Sequence, residues 1–272
     1  MIVRFYGTRG SFPVSKSEVI KYGGNTSCIV IETAQGQQIV VDSGTGIRNY
    51  GADLLATSDR KEIFIFYTHF HMDHVQGLPF FMPAYDKRYT IHLASLQEDK
   101  GPDQLKMMID TMMSPQFCPV TFDMLHADFH IHDMTLMRDL LKGVSIETTV
   151  LNHPGGCGGI KLTDQEGKSI AIMVDNELSE EVDEFIPFCK GVDLLVHDAQ
   201  YTDEEYRSTK GWGHSTFNRT LSLGKEAQVG QLVMTHHDPD HDDDFLSKQE
   251  KINKSILENS SLAREGSEIK IV

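Results

Sequence analysis

Histidine and aspartate residues are crowded just past one strongly apolar stretch of the chain. The stretch "EIFIFYT" ends at position 68, and the next six positions contain His69, His71, Asp73 and His74. Imidazole and carboxylate groups are good ligands for Zn, Mn or Fe, and the end of a strand can project them into a cleft. His69 and His71 alternate and can reach the same ion. Asp73 and His74 lie past the turn and can serve another, so the spacing predicts a metal site.

The same residue types end three other stretches that are typical of strands. His153 ends "TTVLNH" ahead of a Pro-Gly-Gly turn, Asp175 ends "IAIMVD", and His236 and His237 end "QLVMTHH". Alone, each histidine would be an ordinary loop residue, and Asp175 would be a helix N-cap. Together with the first cluster they predict a site for two ions. Two metal ions about 4 Å apart need a bridging group, and a carboxylate such as Asp175 suits that task.

The composition indicates a folded α/β protein with a strongly acidic balance. The chain has 272 residues, of which 39% are hydrophobic and 24% are charged, which is enough for a sizeable core. We expect a single domain over 1–272, because no low-complexity linker divides the chain. The net charge of −15 disfavours binding to nucleic-acid backbones unless a local basic patch or bound cations compensate. A small anion held by metal is the expected partner, and large nucleic acid is not.

Cysteine usage and hydropathy predict a cytoplasmic location. Cys28, Cys118, Cys157 and Cys189 are widely scattered and include no C-x-x-C pair, which is typical of reduced thiols. No apolar run approaches the length of a membrane span, and "MIVRFYGTRG" lacks an apolar signal core. We therefore expect no membrane partner. Cys157 has neutral neighbours and is predicted to be a small packing residue rather than a nucleophile.

The elements that must position these side chains are strands in hairpin-like groups with helices between some of them. The predicted strands are 1–7, 27–33, 37–44, 62–69, 88–95, 144–153, 169–176, 193–200, 231–237 and 268–272, and the predicted helices lie around 47–57, 102–113, 179–189, 216–228 and 244–264. This order predicts two packed sheets covered by helices. A weak internal echo relates "QQIVVDSG" to "KSIAIMVDN" and "FYTHFHMDH" to "VMTHHDPDH". A duplicated half would put two sets of strand ends at one shared edge.

The stretch "THFHMDH" resembles the histidine–aspartate signature of the metallo-β-lactamase superfamily. His153, Asp175 and His236 follow in the order of the later ligand positions of that family. The resemblance implies the four-layer αββα sandwich of the superfamily, an α/β fold. His236 is preferred over His237 because it follows "VMT" as the last ligand of the family follows its strand.

The resemblance also implies how the ligands are divided between two divalent ions, with zinc first and manganese or iron as alternatives. By this resemblance one ion is held by His69, His71 and His153, and the other is held by Asp73, His74 and His236. Asp175 would bridge the two ions together with a hydroxide. Asp73 counts among the catalytic residues as well as among the ligands.

Three further features resemble the phosphodiesterase branch of the superfamily, and one of them is the pair of segments "GGNTSCIVIE" and "DSGTGI" near the start. "LLVHDAQY" resembles the H-E-A-T element of ribonuclease Z with Asp198 in place of Glu, and "GWGHSTF" carries a His-Ser-Thr element. By similarity, His214 would donate a proton to the leaving oxygen, and Asp198 would orient it or relay to it. The Asp side chain is one methylene shorter than Glu, which leaves the contact to His214 open.

The expected function is hydrolysis of a small cyclic phosphodiester, either a cyclic nucleotide or a ribosyl cyclic phosphate, by a metal-bridging hydroxide. A ribonuclease Z proper carries a long Gly- and Pro-rich basic arm, whereas only "NELSEEVDEFIPFCKG" lies between Asp175 and Val192. The alternative is a ribonuclease Z-like RNA 3′-processing endonuclease. A further alternative is a non-catalytic metal-binding carrier of the same fold, against which the complete ligand set argues.

Two other segments leave alternatives open. The Met-rich segment 105–120 is either a helix that packs its methionines on the core or an apolar lid or dimer contact. Relatives are often dimers, so a homodimer is included among the expectations. The glycine loops "GTRGS" and "GGNTS" are either ordinary turns or donors of backbone N–H groups to phosphate.

Overall fold

Two sheets form the centre of the molecule, as seen in a computed structural model that describes residues 1–57, 61–179 and 184–271. The first sheet has the strand order β13-β1-β2-β3-β4-β5-β6 and the second β12-β11-β10-β9-β8-β7. The strands are β1 (Ile2–Gly7), β2 (Cys28–Glu32), β3 (Gln38–Val41), β4 (Glu62–Tyr67), β5 (Thr90–Ser95), β6 (Asp128–Ile131), β7 (Val144–Leu151), β8 (Cys157–Asp164), β9 (Ser169–Met173), β10 (Leu194–Asp198), β11 (Gln231–Thr235), β12 (Ser260–Leu262) and β13 (Glu268–Lys270). The predicted pair of packed sheets is confirmed.

Helices cover the outer face of each sheet. The helices are α1 (Ile47–Thr57), α2 (Met72–Val75), α3 (Pro102–Met112), α4 (Met134–Leu140), α5 (Ile186–Cys189), α6 (Asp203–Thr209), α7 (Phe217–Glu226) and α8 (Asp243–Ile256). Helix α4 differs from the outer helices, because it packs Met134 and Met137 into the layer between the sheets. Within the part of the chain that the structure describes, no helix has the length and apolar character needed to cross a bilayer.

Three buried apolar layers separate the four layers of secondary structure. Strand β4 shows the pattern, because Phe64 and Phe66 face the layer between the two sheets while Ile63 and Ile65 face the layer under α1 and α3. The third layer lies between the second sheet and helices α7 and α8. A strand buried on both faces must be apolar at every position, which explains the unbroken run that precedes Thr68. The expected four-layer αββα sandwich is confirmed.

Most strands that precede the candidate ligands run parallel to a neighbour, whereas β7, which precedes His153, is antiparallel to β8. In the first sheet β3, β4 and β5 are parallel, and in the second sheet β9, β10 and β11 are parallel. The carboxyl ends of parallel strands meet at one edge of a sheet, where open α/β sheets bind ligands. The loops that follow β3, β4, β9, β10 and β11 all contribute to the site described below.

The structure corrects several predicted elements. The helix predicted over 244–264 is wrong beyond Ile256, because Leu257 is extended and 260–262 pairs with β11 as strand β12. Of the helix predicted over 179–189, residues 180–183 lie outside the described residues, and α5 covers only Ile186–Cys189. Strands β6, β8 and β12 and helices α2, α4 and α6 were absent from the predicted elements. Strand β8 begins "CGG", and a Cβ at Gly158 would lie 2.6 Å from the Leu96 backbone, so close packing explains a sequence unlike a strand.

Candidate metal centre

The predicted ligands come together in two groups at the shared edge of the sheets. Within each group, the nearest ligand atoms all lie within 4.8 Å of one another. The groups are His69, His71, His153 and Asp175, and Asp73, His74, Asp175 and His236. Every residue predicted as a ligand is therefore present in a group, and the division between groups matches the one implied by the resemblance.

Asp175 is the residue that the two groups share, and each of its oxygens faces a different group. Its Oδ1 lies 3.3 Å from Nε2 of His74 and 3.1 Å from Nε2 of His236. Its Oδ2 lies 3.5 Å from Nε2 of His69 and 3.7 Å from Nε2 of His153. A buried carboxylate that divides its oxygens in this way has the arrangement expected of a bridging ligand.

Unsatisfied buried atoms provide a test of whether metal ions fit this arrangement. Nε2 of His69 and Oδ1 of Asp175 are buried, and despite the close imidazole nitrogens neither atom has a partner in hydrogen-bond geometry among the described residues. Leaving such atoms unpaired costs about 1–3 kcal/mol each. Nε2 of His153 also lies only 3.0 Å from Nδ1 of His71, so two ring nitrogens converge on the same space. Coordination of cations would satisfy these atoms, and the residues fit a pair of divalent ions.

Charge at the centre also favours cations. Burial alone would raise the pKa of Asp73, but the imidazoles of His74 and His236 outweigh burial and hold that pKa below its usual range. The pKa of Asp175 is likewise far below its ordinary value, because His236 and His74 outweigh burial. Burial lowers the pKa of His69 well below its ordinary value. The carboxylates are therefore ionised and His69 is neutral, which are the ligand forms.

Three ligand imidazoles are held from behind by hydrogen bonds from their Nδ1 atoms. His74 donates to Oδ2 of Asp42 over 2.7 Å, His153 donates to the carbonyl of Gly213 over 3.0 Å, and His236 donates to Oε1 of Gln200 over 3.0 Å. Such contacts fix the tautomer and leave Nε2 for a metal ion. Sequence reasoning did not identify Asp42 or Gln200 as part of the site. The signals for Asp42 were the echo between "VVDSG" and "MVDN" and the resemblance of "DSGTGI" to the phosphodiesterase branch.

Three residues of the centre have a left-handed backbone conformation. The φ angles are 64° at Asp42, 58° at Asp175 and 62° at His236. Asp and His occupy this region more readily than most residues with a side chain. The centre is thus formed where three loops leave their strands in a conformation that costs free energy and that the surrounding structure imposes.

His214 lies beside the ligands and is paired with Asp198. Its Nδ1 donates to Oδ2 of Asp198 over 2.6 Å, so the shorter aspartate does form the contact. Burial lowers the pKa of His214, but the Asp198 carboxylate outweighs burial and the pKa rises to about 9. The ring stacks on that of His236 with centroids 4.8 Å apart. His214, Asp198, Asp175 and His236 also form a third group within 4.8 Å, so His214 lies directly next to the candidate ligands.

The rest of the His-Ser-Thr element places His214. The side chain of Ser215 bonds to the carbonyl of Asn176, and its backbone N–H donates to Oδ1 of Asp198 over 2.9 Å. Thr216 caps helix α7 by accepting from the N–H of Arg219. His214 is therefore fixed at the entry to a helix and next to the loop that carries Asp175.

His237 lies outside all the ligand groups. Its Nε2 donates to the carbonyl of Ala263 over 2.9 Å, and burial lowers its pKa to about 3. The structure thus brings His236, and not His237, to the centre, as preferred above. Cys157 is buried with its Sγ 3.3 Å from the carbonyl of Val174, and burial raises its pKa, so the packing interpretation fits its environment.

The loop "GTRGS" packs against the ligands. The backbone N–H of Ser11 donates to Oδ2 of Asp73 over 2.9 Å. A Cβ at Gly10 would lie 2.3 Å from Nδ1 of His236, which explains why glycine is needed there. Of the two interpretations of this loop, the structure supports a turn that steadies two ligands.

The Met-rich segment packs part of its side chains and leaves others open. Helix α3 buries Leu105 and Ile109 against the first sheet, whereas Met107 and Phe117 are exposed. A cavity of about 500 Å³ is lined by residues of this segment and of the metal-binding loop, namely Tyr67, Phe70, Met72, Val75, Met108, Ile109, Thr111, Met112 and Phe117. The core-packing interpretation therefore applies to one face of α3 only.

Comparison with known proteins gives the family. A sequence profile of the β-lactamase superfamily domain matches residues 37–237. The chain belongs to the β-lactamase superfamily. It is accordingly a metal-dependent hydrolase.

The relatives share most of their length with this member of the superfamily. Ribonuclease Z from Lacticaseibacillus casei is 25% identical over an alignment that covers 100% of this chain and 95% of the relative. The short form of human tRNase Z has a TM-score of 0.69, 22% identity and full coverage of both chains. A diphosphatase of the PhnP family has a TM-score of 0.68, 16% identity, and coverage of 100% of this chain and 98% of its own. The structural matches demonstrate a shared fold.

Proposed function

We propose that the chain is a phosphodiesterase that works with two divalent metal ions. The observation that carries this proposal is the division of the Asp175 oxygens between two ligand groups, with the His214–Asp198 pair alongside. His69, His71 and His153 would hold one ion, and Asp73, His74 and His236 the other. Zinc is the first choice because imidazole and carboxylate ligands suit it, with manganese or iron as alternatives.

Each residue at the centre has a task in this mechanism. Bound divalent ions supply positive charge for the phosphate oxygens and lower the pKa of water. Asp42, Gln200 and the carbonyl of Gly213 keep three ligand rings in place. His214, held by Asp198, donates a proton to the oxygen that leaves the phosphorus atom. Asp73 is held in turn by the N–H of Ser11.

RNA is the first candidate substrate, and the reaction would be ribonuclease Z-like endonucleolytic processing of a 3′ end. Support comes from relatives named ribonuclease Z that align with all or nearly all of the chain. This support outweighs the expectation that large nucleic acid is not a partner. The net charge of −15 then requires that the bound metal ions and a local surface near the centre hold the RNA backbone.

A small cyclic phosphodiester is the second candidate, and carboxylates near the centre favour it. Asp238 accepts from Nε2 of Gln200 over 3.0 Å, and Gln200 in turn contacts the ligand His236. Asp240, Asp242, Asp243 and Asp244 follow in the chain. These carboxylates repel the phosphates of a substrate, and salt screens that repulsion beyond about 8 Å at physiological ionic strength. A compact substrate with one phosphate therefore avoids most of the repulsion.

A turnover experiment separates the two candidates. The protein, loaded with zinc or manganese, is given a tRNA precursor with a 3′ extension and, separately, cyclic nucleotides and ribosyl cyclic phosphates. Processing of the precursor supports the first candidate, and hydrolysis of cyclic diesters alone supports the second. If the protein hydrolyses neither the precursor nor any cyclic diester, the phosphodiesterase proposal is contradicted. The non-catalytic carrier then returns to consideration. The homodimer, the cytoplasmic location and the single domain over 1–272 stay predictions.

A further inference from the structure

The loop between helices α6 and α7 is held against the metal centre. Gly211 and Gly213 have φ angles of 88° and 92°, and the Glu177 carboxylate accepts from both of their N–H groups over 2.8–3.0 Å. A Cβ at Gly213 would lie only 2.0 Å from Nδ1 of the ligand His153. The loop therefore has a fixed shape, and its closest approach is to a metal ligand.

Trp212 lies between these two glycines and is the single tryptophan of the chain. Trp212 is 62% exposed, although tryptophan is among the residues that gain most from burial. It is two residues from His214 and one from the carbonyl that supports His153. The rigid loop thus keeps a large aromatic residue in water at the rim of the centre.

The same loop also borders a cavity whose lining includes Lys210. A cavity of about 510 Å³ is lined by residues that include His153, Glu177, Tyr206, Lys210 and Gly211. Lys210 is exposed, in a chain whose carboxylates far outnumber its basic groups. An anionic ligand with an aromatic part would match both Lys210 and Trp212, and a nucleotide is such a ligand.

We propose that Trp212 is a stacking platform for a nucleobase of the substrate. This inference rests on the proposed phosphodiesterase function and specifies its substrate class as nucleotides, whether free or within RNA. Every base has a flat face, and stacking on an aromatic side chain contributes affinity without selecting a sequence. The base belongs on the side of the phosphate where His214 lies, because Trp212 and His214 are two residues apart on a fixed loop.

Tryptophan fluorescence tests the contact directly, since Trp212 is the only source of indole emission. Adenosine 5′-monophosphate is titrated into the metal-loaded protein, with ribose 5-phosphate as the matched probe that lacks a base. Saturable quenching by the nucleotide, with little change from the sugar phosphate, is expected. Equal responses to the two probes, or no response to either, would contradict the stacking contact. This readout does not depend on turnover.

Kinetics with matched variants test what the contact contributes. Trp212→Ala should lower the ratio of kcat/KM for a nucleotide diester to kcat/KM for glycerol 1,2-cyclic phosphate by about 5- to 150-fold, the range of base stacking. Trp212→Phe should restore most of this ratio. Phe80→Ala removes an aromatic side chain from a residue with the same 62% exposure and should leave the ratio unchanged.

The two proposals fail in different ways. An unchanged ratio in Trp212→Ala, in a protein that hydrolyses both diesters, would overturn the stacking platform and leave the phosphodiesterase proposal standing. A wild-type protein that hydrolyses neither a diester nor RNA would overturn the proposed function, whatever the fluorescence shows.

Discussion

His74 and Asp42 form a fully buried pair, with Nδ1 of the ring 2.7 Å from Oδ2 of the carboxylate. Asp42 follows β3, His74 lies in α2, and the intervening 31 residues include a whole strand and helix. The other oxygen of Asp42 accepts from the N–H of Thr68 over 2.9 Å. The Asp42 carboxylate thus connects the residue that follows β4, Thr68, to the ring of His74.

Asp42→Asn should weaken metal binding by roughly 10- to 100-fold, the usual effect of removing a carboxylate behind a ligand histidine. Asn also accepts the left-handed backbone at this position, so the fold is retained. Competition with a metal chelator measures the affinity. Asp110→Asn removes the same charge from an exposed pair with Lys106 and serves as the control. Equal affinities of the two variants would show that Asp42 does not support the centre.

Asp175→Asn should lower the occupancy of both metal sites, because the two ligand groups share this carboxylate. The metal content measured by elemental analysis after reconstitution should fall from two ions per chain toward one or none. Loss of a single ion with the other bound at wild-type affinity would mean that Asp175 serves one site only. Asp73→Asn is the comparison, and it should affect one ion more than the other.

His214→Ala should leave the metal content nearly intact and reduce turnover by roughly 10²- to 10⁴-fold, the usual contribution of a positioned general acid. Asp198→Asn should reduce turnover less, because His214 remains while its orientation is weakened. Both variants are assayed together with elemental analysis. Since His214 lies within 4.8 Å of Asp175 and His236, loss of an ion in His214→Ala would identify it as a ligand instead.

Metal removal should destabilise the folded protein. A ligand that binds only the folded state at 1,000 times its Kd contributes about 4 kcal/mol, which corresponds to a rise in Tm of roughly 8–16 °C for a chain of this size class. Thermal unfolding is followed with and without zinc after treatment with a chelator. The Asp175→Asn variant should show a smaller rise, and an identical rise would place the stabilising ion elsewhere.

His197 should make the protein less stable in mild acid. It is buried on β10, and burial lowers its pKa in the folded state. The unfolded chain therefore binds a proton more readily, and stability present above the ordinary pKa of about 6.5 is lost as the pH falls below it. Urea unfolding at pH 7.5 and 5.5 measures the loss. His197→Gln keeps an acceptor for Asn176 and should reduce the pH dependence. The same pH dependence in both proteins would exclude His197 as its source.

The grouping of the candidate ligands was predictable from sequence because two local signals coincide at their positions. Each candidate follows an apolar run, and each is a residue type that binds metal. Asp175, for example, can therefore be identified as a candidate without knowing which residues lie near it in space. Asp42 and Gln200 are different, because their role depends on contacts to His74 and His236 that lie 32 and 36 positions away. No spacing rule connects residues at such separations.

The elements that sequence patterns missed are those whose sequences contradict ordinary propensity. Strand β8 has two glycines at its second and third positions, which is unfavourable in a strand, yet it pairs with β7 over eight residue pairs. Residues 257–264 follow α8 without a glycine or proline to end it. The helix ends because 260–262 completes the second sheet beside β11, a tertiary effect that local periodicity does not contain.

The left-handed backbone at Asp42, Asp175 and His236 limits which amino acids laboratory evolution can sample there. With φ near 60°, branched and bulky residues are strained, and Asn and Gly are the substitutes that the backbone accepts. A longer carboxylate at 175 is disfavoured by the backbone as well as by the two-sided contact. His69 and Asp73 have ordinary φ angles and are free of this restriction. Attempts to retune the centre for another metal should therefore randomise His69 and Asp73 first, since most substitutions at the other three positions would add backbone strain of about 1–3 kcal/mol.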